Sequence, residues 1–174
     1  MRLVTDRFEP PRTANLRSLT VQVLSPRYAE QDFAAVSSSA DTMRHVFGPD
    51  NDWPAEGITF EANWADLARH EREFNEKSAF AYALFDPNGE RYFGCLYLRS
   101  IKSKTGRDQR HKRFSAQAFL WMSSLHQDVT DESAHAEVAE WFTTTWGLDR
   151  VAWPGRSPSW EEWKALAAQS LGAT

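Results

Sequence analysis

The sequence of 174 residues lacks most features of secreted, membrane-spanning and nucleic-acid-binding proteins. Its single cysteine, Cys95, cannot form an internal disulfide bond. No run approaches the ~20 consecutive apolar residues that cross a bilayer, and residues 1–6 lack the apolar centre of a signal peptide. A net charge of −4 argues against general binding to nucleic acids or membranes. These absences predict a soluble, cytoplasmic protein with neither nucleic-acid nor membrane partners.

Aromatic residues, in contrast, are plentiful. The chain is 41% hydrophobic and 13% aromatic, and it contains eight tryptophans. Because a tryptophan needs burial for its ring and a partner for its N–H group, this content predicts an aromatic-lined core or cleft. The length fits one domain. Residues 1–15, which contain Pro10-Pro11, are predicted to form an arm lying over a single domain of residues 16–174.

The clearest turn in the sequence joins two apolar runs. Phe80 to Asp86 leads into the turn sequence DPNG, and a second apolar run extends from Phe93 to Leu98. This pattern predicts an antiparallel hairpin. Both faces of both runs are apolar, which is typical of strands covered by helices on two sides. We expect Ala116 to Met122 to form the next strand, beside the second run.

Capping residues, prolines and glycines divide the rest of the chain into further elements. Before the hairpin, the predicted elements are a strand over Leu16–Leu24, a helix opened by Ser25-Pro26 and closed by Ser37-Ser38-Ser39, a short helix capped by Asp41, and a helix over Phe60–Lys77 capped by Thr59. After it come a helix capped by Thr130 and ended by Gly147, a strand over Arg150–Trp153, and a last helix starting at Ser159. The core side of the helix capped by Thr130 is expected to hold Ala134, Val138, Trp141 and Thr145. The strand–helix–strand order near the end implies a parallel crossover in an otherwise antiparallel sheet.

The helix over Phe60–Lys77 carries one charge inside its apolar stripe. The stripe consists of Phe60, Trp64, Leu67 and Phe74. Glu71 falls at its centre, and His70 lies on its flank. Since a buried carboxylate without a partner costs several kcal/mol, two interpretations stay open. Glu71 either pairs with an arginine at the rim of the core or faces a cleft as a general base or an anchor for a substrate amine.

Five segments of the sequence resemble those of a known superfamily. They read RHVFG, NWADLARHEREF, AFAYALFD, GCLYL and VAWPGRSPSWEEW. Together with the order of elements, they resemble a little-described bacterial branch of the GNAT superfamily of acyl-CoA-dependent N-acetyltransferases, over roughly Leu16 to Leu166. The resemblance implies an α/β fold, with a mostly antiparallel mixed sheet, helices on both faces and a splayed parallel strand pair.

The resemblance also implies a reaction and a site. Acetyl-CoA would lie in the opening between Ala116–Ser124 and Arg150–Trp153, with its pyrophosphate at the start of the helix near Asp131–His135. An amine of a small molecule would attack the thioester while a base takes its proton. The expected cofactor-binding residues are Trp121, Met122, Ser123, Ser133, Ala134 and Arg156, and the candidate bases are Glu71, His70 and His126.

The sequence departs from the superfamily pattern where a basic, glycine-rich loop is expected. The segment from Leu125 to Ala134 reads LHQDVTDESA, which has no glycine. Asp128, Asp131 and Glu132 would repel a pyrophosphate there. The basic run from Lys102 to Arg113 is expected to be a solvated loop, because a strand of about seven residues would hold it some 20 Å away.

Other functions remain as alternatives. A non-catalytic GNAT-like domain could use the tryptophan-lined cleft to bind a ligand or a protein, and a homodimer is a further expectation. A metal site is not expected, because His70-Glu71 lacks a second histidine one turn later, where Phe74 stands. A cysteine nucleophile is not expected either, since Cys95 lies in the middle of a strand without a helix N-terminus beside it.

Overall fold

The computed structural model describes residues 3–5, 7–103 and 108–168. The strands are β1 (Thr13–Asn15), β2 (Thr20–Val23), β3 (Phe80–Phe85), β4 (Tyr92–Arg99), β5 (Ala116–Met122) and β6 (Val151–Ala152). The helices are α1 (Ala29–Met43), which follows a 3-10 turn at Pro26–Tyr28, α2 (Phe60–Asn75), the short α3 (Arg110–Arg113), α4 (Asp131–Trp146) and α5 (Trp160–Ala168). None of these helices is long and apolar enough to cross a membrane.

The strands described above form one mixed sheet in the order of the chain. All neighbouring pairs are antiparallel except β5 and β6, which are parallel. Phe80 lies opposite Leu98, and Gly94 opposite Met122. The predicted hairpin, its pairing with the third run and the single parallel crossover are therefore confirmed.

Helices cover both faces of the sheet, as the two-sided apolar runs predict. Every residue of β3 is buried, because alternate side chains enter two separate clusters. One cluster joins Leu96 to Phe142 of α4, and the other joins Tyr97 to Leu67 of α2. Trp160 of α5 lies on the same face as α1 and α2, since its ring stacks on Phe119 at 6.3 Å. The mixed α/β class is confirmed.

Helix α2 begins where predicted but buries a different face. Thr59 caps it by accepting a hydrogen bond from the Ala62 N–H group at 3.2 Å. Phe60 and Trp64 are 37% and 48% exposed, so the expected stripe is wrong in its first two members. The buried positions are Asn63, Leu67, His70 and Phe74. Since this face is rotated from the expected one, Glu71 lies at its edge rather than at its centre.

The run of three serines does not end α1, which continues to Met43. Ser38 donates to the Ala34 carbonyl oxygen at 2.8 Å, and the buried Ser39 hydroxyl lies 3.1 Å from that of Ser124. With their hydroxyls bonded in this way, Ser38 and Ser39 are compatible with a continuous helix. For the same reason Asp41 lies inside α1 and caps no second helix.

The beginning of the sheet also differs from the prediction. Thr13–Asn15, expected to belong to the arm, forms edge strand β1 and pairs with β2. The predicted strand over Leu16–Leu24 is shorter, because Leu16 N–H bonds to the Leu19 carbonyl oxygen at 2.7 Å and closes a turn. Three residues in a strand are too few to leave an alternating pattern.

Helix α4 follows the prediction at both ends. Thr130 accepts from the Ser133 N–H group at 3.1 Å, and Gly147 ends the helix in the left-handed conformation at a φ of 65°. Ala134, Val138 and Trp141 are buried as expected, whereas Thr145 is exposed. Residues 104–107 of the basic run lie outside the described ranges.

Candidate functional site

Strands β5 and β6 separate after a short stretch of pairing. Their paired positions are Ala116 with Val151 and Gln117 with Ala152. Trp153, the next residue, turns away from β5 and instead donates its N–H group to the Ser157 carbonyl oxygen at 2.9 Å. The parallel strands therefore splay, which confirms the opening implied by the sequence resemblance.

A cleft of about 450 Å³ occupies this opening. One wall is β5 from Ala118 to Met122, and another is the turn from Trp153 to Arg156. The third wall is Thr42–Val46, at the end of α1 and the start of the following loop. Trp160 of α5 also lines it, so the tryptophan-lined cleft expected from composition is present.

The β5 backbone presents polar groups to this cleft. Arg156 Nη2 donates to the Leu120 carbonyl oxygen at 3.2 Å, so this carbonyl points towards the opening and away from β4. In an extended strand, alternate residues direct their N–H and C=O groups to the same edge. Ala118 and Met122 therefore present their backbone groups in the same direction as Leu120. This edge can pair with the amide groups of an extended ligand.

Arg156 closes the opening on the side of α4. Its guanidinium bonds to both carboxylate oxygens of Asp131, with Nη2 2.8 Å from Oδ1. Arg156 is 32% exposed and Asp131 46%, so the pair lies at the mouth of the cleft. Asp131 is the first residue of α4, the position where an anion was expected. Its charge is offset by Arg156, and no repulsion of a phosphate follows from Asp131 alone.

The other acidic residues before and within the first turn of α4 differ from one another. Asp128 is paired with Arg91 Nη1 at 2.7 Å. Glu132 is exposed on the helix surface. Of the three acids expected to oppose a pyrophosphate, two therefore already have a cationic partner.

The expected cofactor-binding residues divide into two groups. Trp121, Met122 and Arg156 line the cleft. Ser123, Ser133 and Ala134 are absent from its walls: the Ser123 hydroxyl accepts from the Leu125 N–H group at 3.1 Å and lies 3.3 Å from the Ser39 hydroxyl. The Ser133 and Ala134 N–H groups both bond to the Thr130 cap.

His70 and His126 do not line the cleft. His70 is 3% exposed and packs on the Tyr97 ring at 5.3 Å. Its ring nitrogens lie 3.3 Å from Asp66 and 3.4 Å from Glu73. Burial raises the pKa of Asp66, but bonds from His70 and Arg69 outweigh it and lower that pKa to about 2. His126 rests on the Phe93 ring at 5.8 Å.

Glu71 lies at a different cavity, between α2 and the β1–β2 edge of the sheet. It is half-buried there. In the described ranges no basic side chain lies within 4.0 Å of its carboxylate, so the structure does not show the arginine partner considered from the sequence.

The sequence prediction missed His45. This residue lies in RHVFG, directly after α1, and lines the cleft with an exposed side chain. Its φ of 69° is unusual for a residue with a side chain. Residues held in rare backbone conformations cluster at functional sites. The local sequence offers no signal for this placement, because it depends on how α1 ends against the sheet.

A buried polar network lies on the α1 and α2 face of the sheet and contacts the cleft residue Trp121 through the Tyr92 ring at 6.5 Å. Asp32, 3% exposed, accepts hydrogen bonds from the Tyr92 hydroxyl at 2.5 Å and from Asn63 Nδ2 at 2.8 Å. Burial raises the pKa of Asp32, and these bonds offset part of that effect. Nearby, Trp121 Nε1 donates to the Tyr97 hydroxyl at 3.4 Å, which orients one aromatic wall of the cleft.

Cys95 belongs to the same network. Its sulfur lies 2.8 Å from the Tyr92 hydroxyl and 3.4 Å from Asp32 Oδ1. Burial raises the pKa of its thiol well above the ordinary value, so it is poorly suited to act as a nucleophile. In the part of the chain that the structure describes, no group of three or more His, Cys, Asp or Glu side chains could hold a metal ion.

No protein-family model and no curated protein matches this sequence. Solved structures do match the fold. The ribosomal-protein-S5-alanine acetyltransferase from Vibrio fischeri is 13% identical, with a TM-score of 0.56 over 90% of this chain and 81% of that one. The fold is therefore that of the GNAT superfamily.

Two further GNAT structures agree with this assignment. An acetyltransferase from Salmonella typhimurium that modifies the N-terminal serine of ribosomal protein L7/L12 is 10% identical, with a TM-score of 0.53 over 75% of this chain and 66% of that one. The microcin C7 self-immunity acetyltransferase MccE, solved with acetyl-CoA and AMP, is 11% identical, with a TM-score of 0.56 over 78% and 68%. At these identities the likeness establishes the GNAT fold.

Proposed function

We propose that this protein is an acetyl-CoA-dependent N-acetyltransferase that acts on an amine of a small molecule. The observation that supports this most is the cleft between β5 and β6, with the backbone edge of Leu120 directed into it. Acetyl-CoA supplies an activated acetyl thioester, and its pantetheine arm contains amides that match such an edge. The GNAT neighbour MccE was solved with this compound.

Several residues of the cleft would contact acetyl-CoA. Ala118, Leu120 and Met122 would hold the amides of the arm, and Trp121 would contact its apolar part. Arg156 would bind the phosphates in place of the Leu120 carbonyl oxygen, because phosphate is a better match for a guanidinium than a neutral carbonyl oxygen, whereas the Asp131 carboxylate competes with phosphate for the same guanidinium. The arginine then takes the place of the missing glycine-rich loop.

His45 is the proposed proton acceptor for the acceptor amine. It is the imidazole that lines the cleft among the described residues, whereas Glu71, His70 and His126 lie elsewhere. An imidazole nitrogen can take the proton that the amine loses as it attacks the thioester. The amine would enter along the wall formed by Thr42–Val46.

A non-catalytic GNAT-like domain is the second candidate. The observation that favours it is Arg156, which occupies both the Leu120 carbonyl oxygen and Asp131. If this arrangement is permanent, the cleft has lost acetyl-CoA binding and would instead take another ligand or a protein segment.

Calorimetric titration with acetyl-CoA distinguishes the two candidates. We expect saturable binding that is weakened at least tenfold by Arg156→Ala, since a charge-assisted contact is lost. Arg150→Ala is the matched control, because this arginine directly precedes β6 and lies outside the cleft. Absence of saturable binding by the parent protein would remove the acetyltransferase proposal and leave the second candidate.

A second assay tests the reaction and its acceptor. Release of the free thiol of CoA is followed with a panel of small amines and with short peptides that have free N-termini. Transfer to a small amine at a rate above that of hydrolysis supports the proposal. Transfer to peptides alone would contradict the small-molecule assignment while retaining the acetyltransferase activity.

A further inference from the structure

The cavity lined by Glu71 is a second polar site, at the edge of the sheet opposite to β6. It has a volume of about 310 Å³ and lies between the β1–β2 edge, the 3-10 turn and α2. Its polar side chains include Arg12, Gln22, Ser25, Arg27 and Glu71. It shares no lining residue with the cleft between β5 and β6. Any ligand of this cavity is therefore independent of the proposed function.

The charged groups of this cavity are not neutralised by one another. Among the described residues, neither Arg12 nor Arg27 lies within 4.0 Å of a carboxylate, and Glu71 lies within that distance of no cation. The neighbouring turn of α2 is different, because Arg69 there bonds to Glu73 at 3.0 Å. Two guanidinium groups and one carboxylate thus face one cavity with an unmatched charge of +1.

Neutral neighbours hold the two arginines in place. Arg12 donates to Asn75 Oδ1 at 3.0 Å and lies over the Phe74 ring at 5.2 Å. Arg27 donates to Gln22 Oε1 at 2.5 Å and lies over the Tyr28 ring at 4.4 Å. A guanidinium has five N–H donors, so these contacts orient each group while leaving donors for a ligand.

From this arrangement we propose that the cavity binds a dicarboxylic α-amino acid. Two carboxylates match the two guanidinium groups, and an α-ammonium matches Glu71. The net charge of such a ligand is −1, which balances that of the cavity. Ser25, 5% exposed, and Gln22 add neutral hydrogen-bonding groups. The volume is at the lower end of the range for small-molecule sites, as expected for a ligand of this size.

Three related compounds test the charge pattern on the unmodified protein. Succinate is L-aspartate without the ammonium group, and L-asparagine is L-aspartate without the second carboxylate. In calorimetry we expect L-aspartate to bind about tenfold or more tightly than either, because each missing group costs one charge-assisted contact. Equal affinity for succinate and L-aspartate, or no saturable binding of L-aspartate at millimolar concentration, would overturn the proposal.

Variants then assign the groups. Glu71→Gln should weaken L-aspartate binding about tenfold and leave succinate binding unchanged or tighter. Arg12→Gln should weaken both compounds. Glu61→Gln, at an exposed position of the same helix, is the control and should change neither. Circular dichroism establishes that each variant is folded. If Glu71→Gln weakened the affinity for L-aspartate and for succinate to the same degree, the assignment of Glu71 to the ammonium group would be wrong. The affinity for acetyl-CoA should be unchanged in all these variants.

Discussion

The two faces of the central sheet are filled with different kinds of side chain. Under α4, Trp141, Phe142 and Trp146 form an aromatic cluster, with ring centroids 5.6 to 6.1 Å apart. Under α1 and α2, the buried Asp32 and Tyr92 are hydrogen-bonded to each other. The first face is mainly aromatic packing. Its buried carboxylate, Glu137, accepts from the Ser18 N–H group at 2.9 Å, and this face contacts the cleft where Phe142 stacks on Trp153 at 5.9 Å. On the second face, Tyr97 accepts a hydrogen bond from Trp121, and Trp121 lines the cleft.

This difference separates stability from site geometry. Apolar packing tolerates substitution as long as volume is kept, whereas a buried hydrogen-bonded group requires a partner at a defined distance and angle. The polar face is therefore the one that can hold Trp121 in a single orientation. If so, changes on the two faces should have different consequences for the cleft even when they destabilise the protein equally.

The largest effect is expected on the aromatic face. Trp141 is buried, so Trp141→Ala should lower the free energy of unfolding by about 3 to 5 kcal/mol. Urea denaturation measures this loss. Thr145→Ala, at an exposed position of the same helix, should change stability little. Trp141 does not line the cleft, so acetyl-CoA affinity of the folded Trp141→Ala protein should match that of the parent. Weakened affinity would contradict the separation between the faces.

A change on the polar face should lower both the stability of the protein and its affinity for acetyl-CoA. Asp32→Ala leaves the Tyr92 hydroxyl and the Asn63 amide without their acceptor and should lower stability by about 3 kcal/mol. Acetyl-CoA binding by the folded fraction should weaken as well. Asp32→Asn is the control, because it keeps an acceptor for Tyr92 while the Asn63 amide can rotate. An Asp32→Ala protein with unchanged affinity would show that the network does not orient the cleft.

His45 should affect the reaction alone. His45→Gln should lower the rate of acetyl transfer by about 10²-fold, since a general base is lost. Its stability and its affinity for acetyl-CoA should stay near those of the parent. His126→Gln, outside the cleft, serves as the control in the thiol-release assay. A His45→Gln enzyme that retains the parent rate and its pH dependence would exclude His45 as the proton acceptor.

A smaller change is expected from Asp131→Asn. This variant releases Arg156 from its carboxylate partner, so the arginine becomes available to phosphate. Acetyl-CoA should bind a few times more tightly, with the larger gain at low salt, where charges are least screened. Glu132→Gln removes a neighbouring exposed charge without releasing Arg156 and should gain less. Equal effects of the two variants would point to general repulsion instead.

The smallest effect concerns acid stability. The pKa of Asp66 is lowered to about 2, so its contribution to stability is complete above the unfolded value near 4 and is lost as the pH falls towards 2. Asp66→Asn should therefore lose less stability than the parent between about pH 5 and about pH 3. Urea midpoints at both pH values measure the difference. Asp32 affects the pH dependence of stability in the opposite direction, because burial raises its pKa.

Local interactions explain what could be predicted from the sequence. The DPNG turn, the caps at Thr59 and Thr130 and the left-handed Gly147 each depend on residues within a few positions of one another. Such residues favour the same turn or cap wherever they occur, so the hairpin and two of the long helices could be predicted from the sequence itself. The aromatic content likewise predicts a tryptophan-lined cleft without showing where it lies.

Contacts between distant segments decided the rest. Asn63 is buried because it finds Asp32, 31 positions away, and α1 continues through its serines because Ser39 meets Ser124, 85 positions away. The pairing of Arg156 with Asp131, the entry of His45 into the cleft and the placement of Glu71 at a separate cavity also depend on packing between elements. A polar side chain is buried only where its partner is already held, and that position exists only after the sheet and helices have assembled.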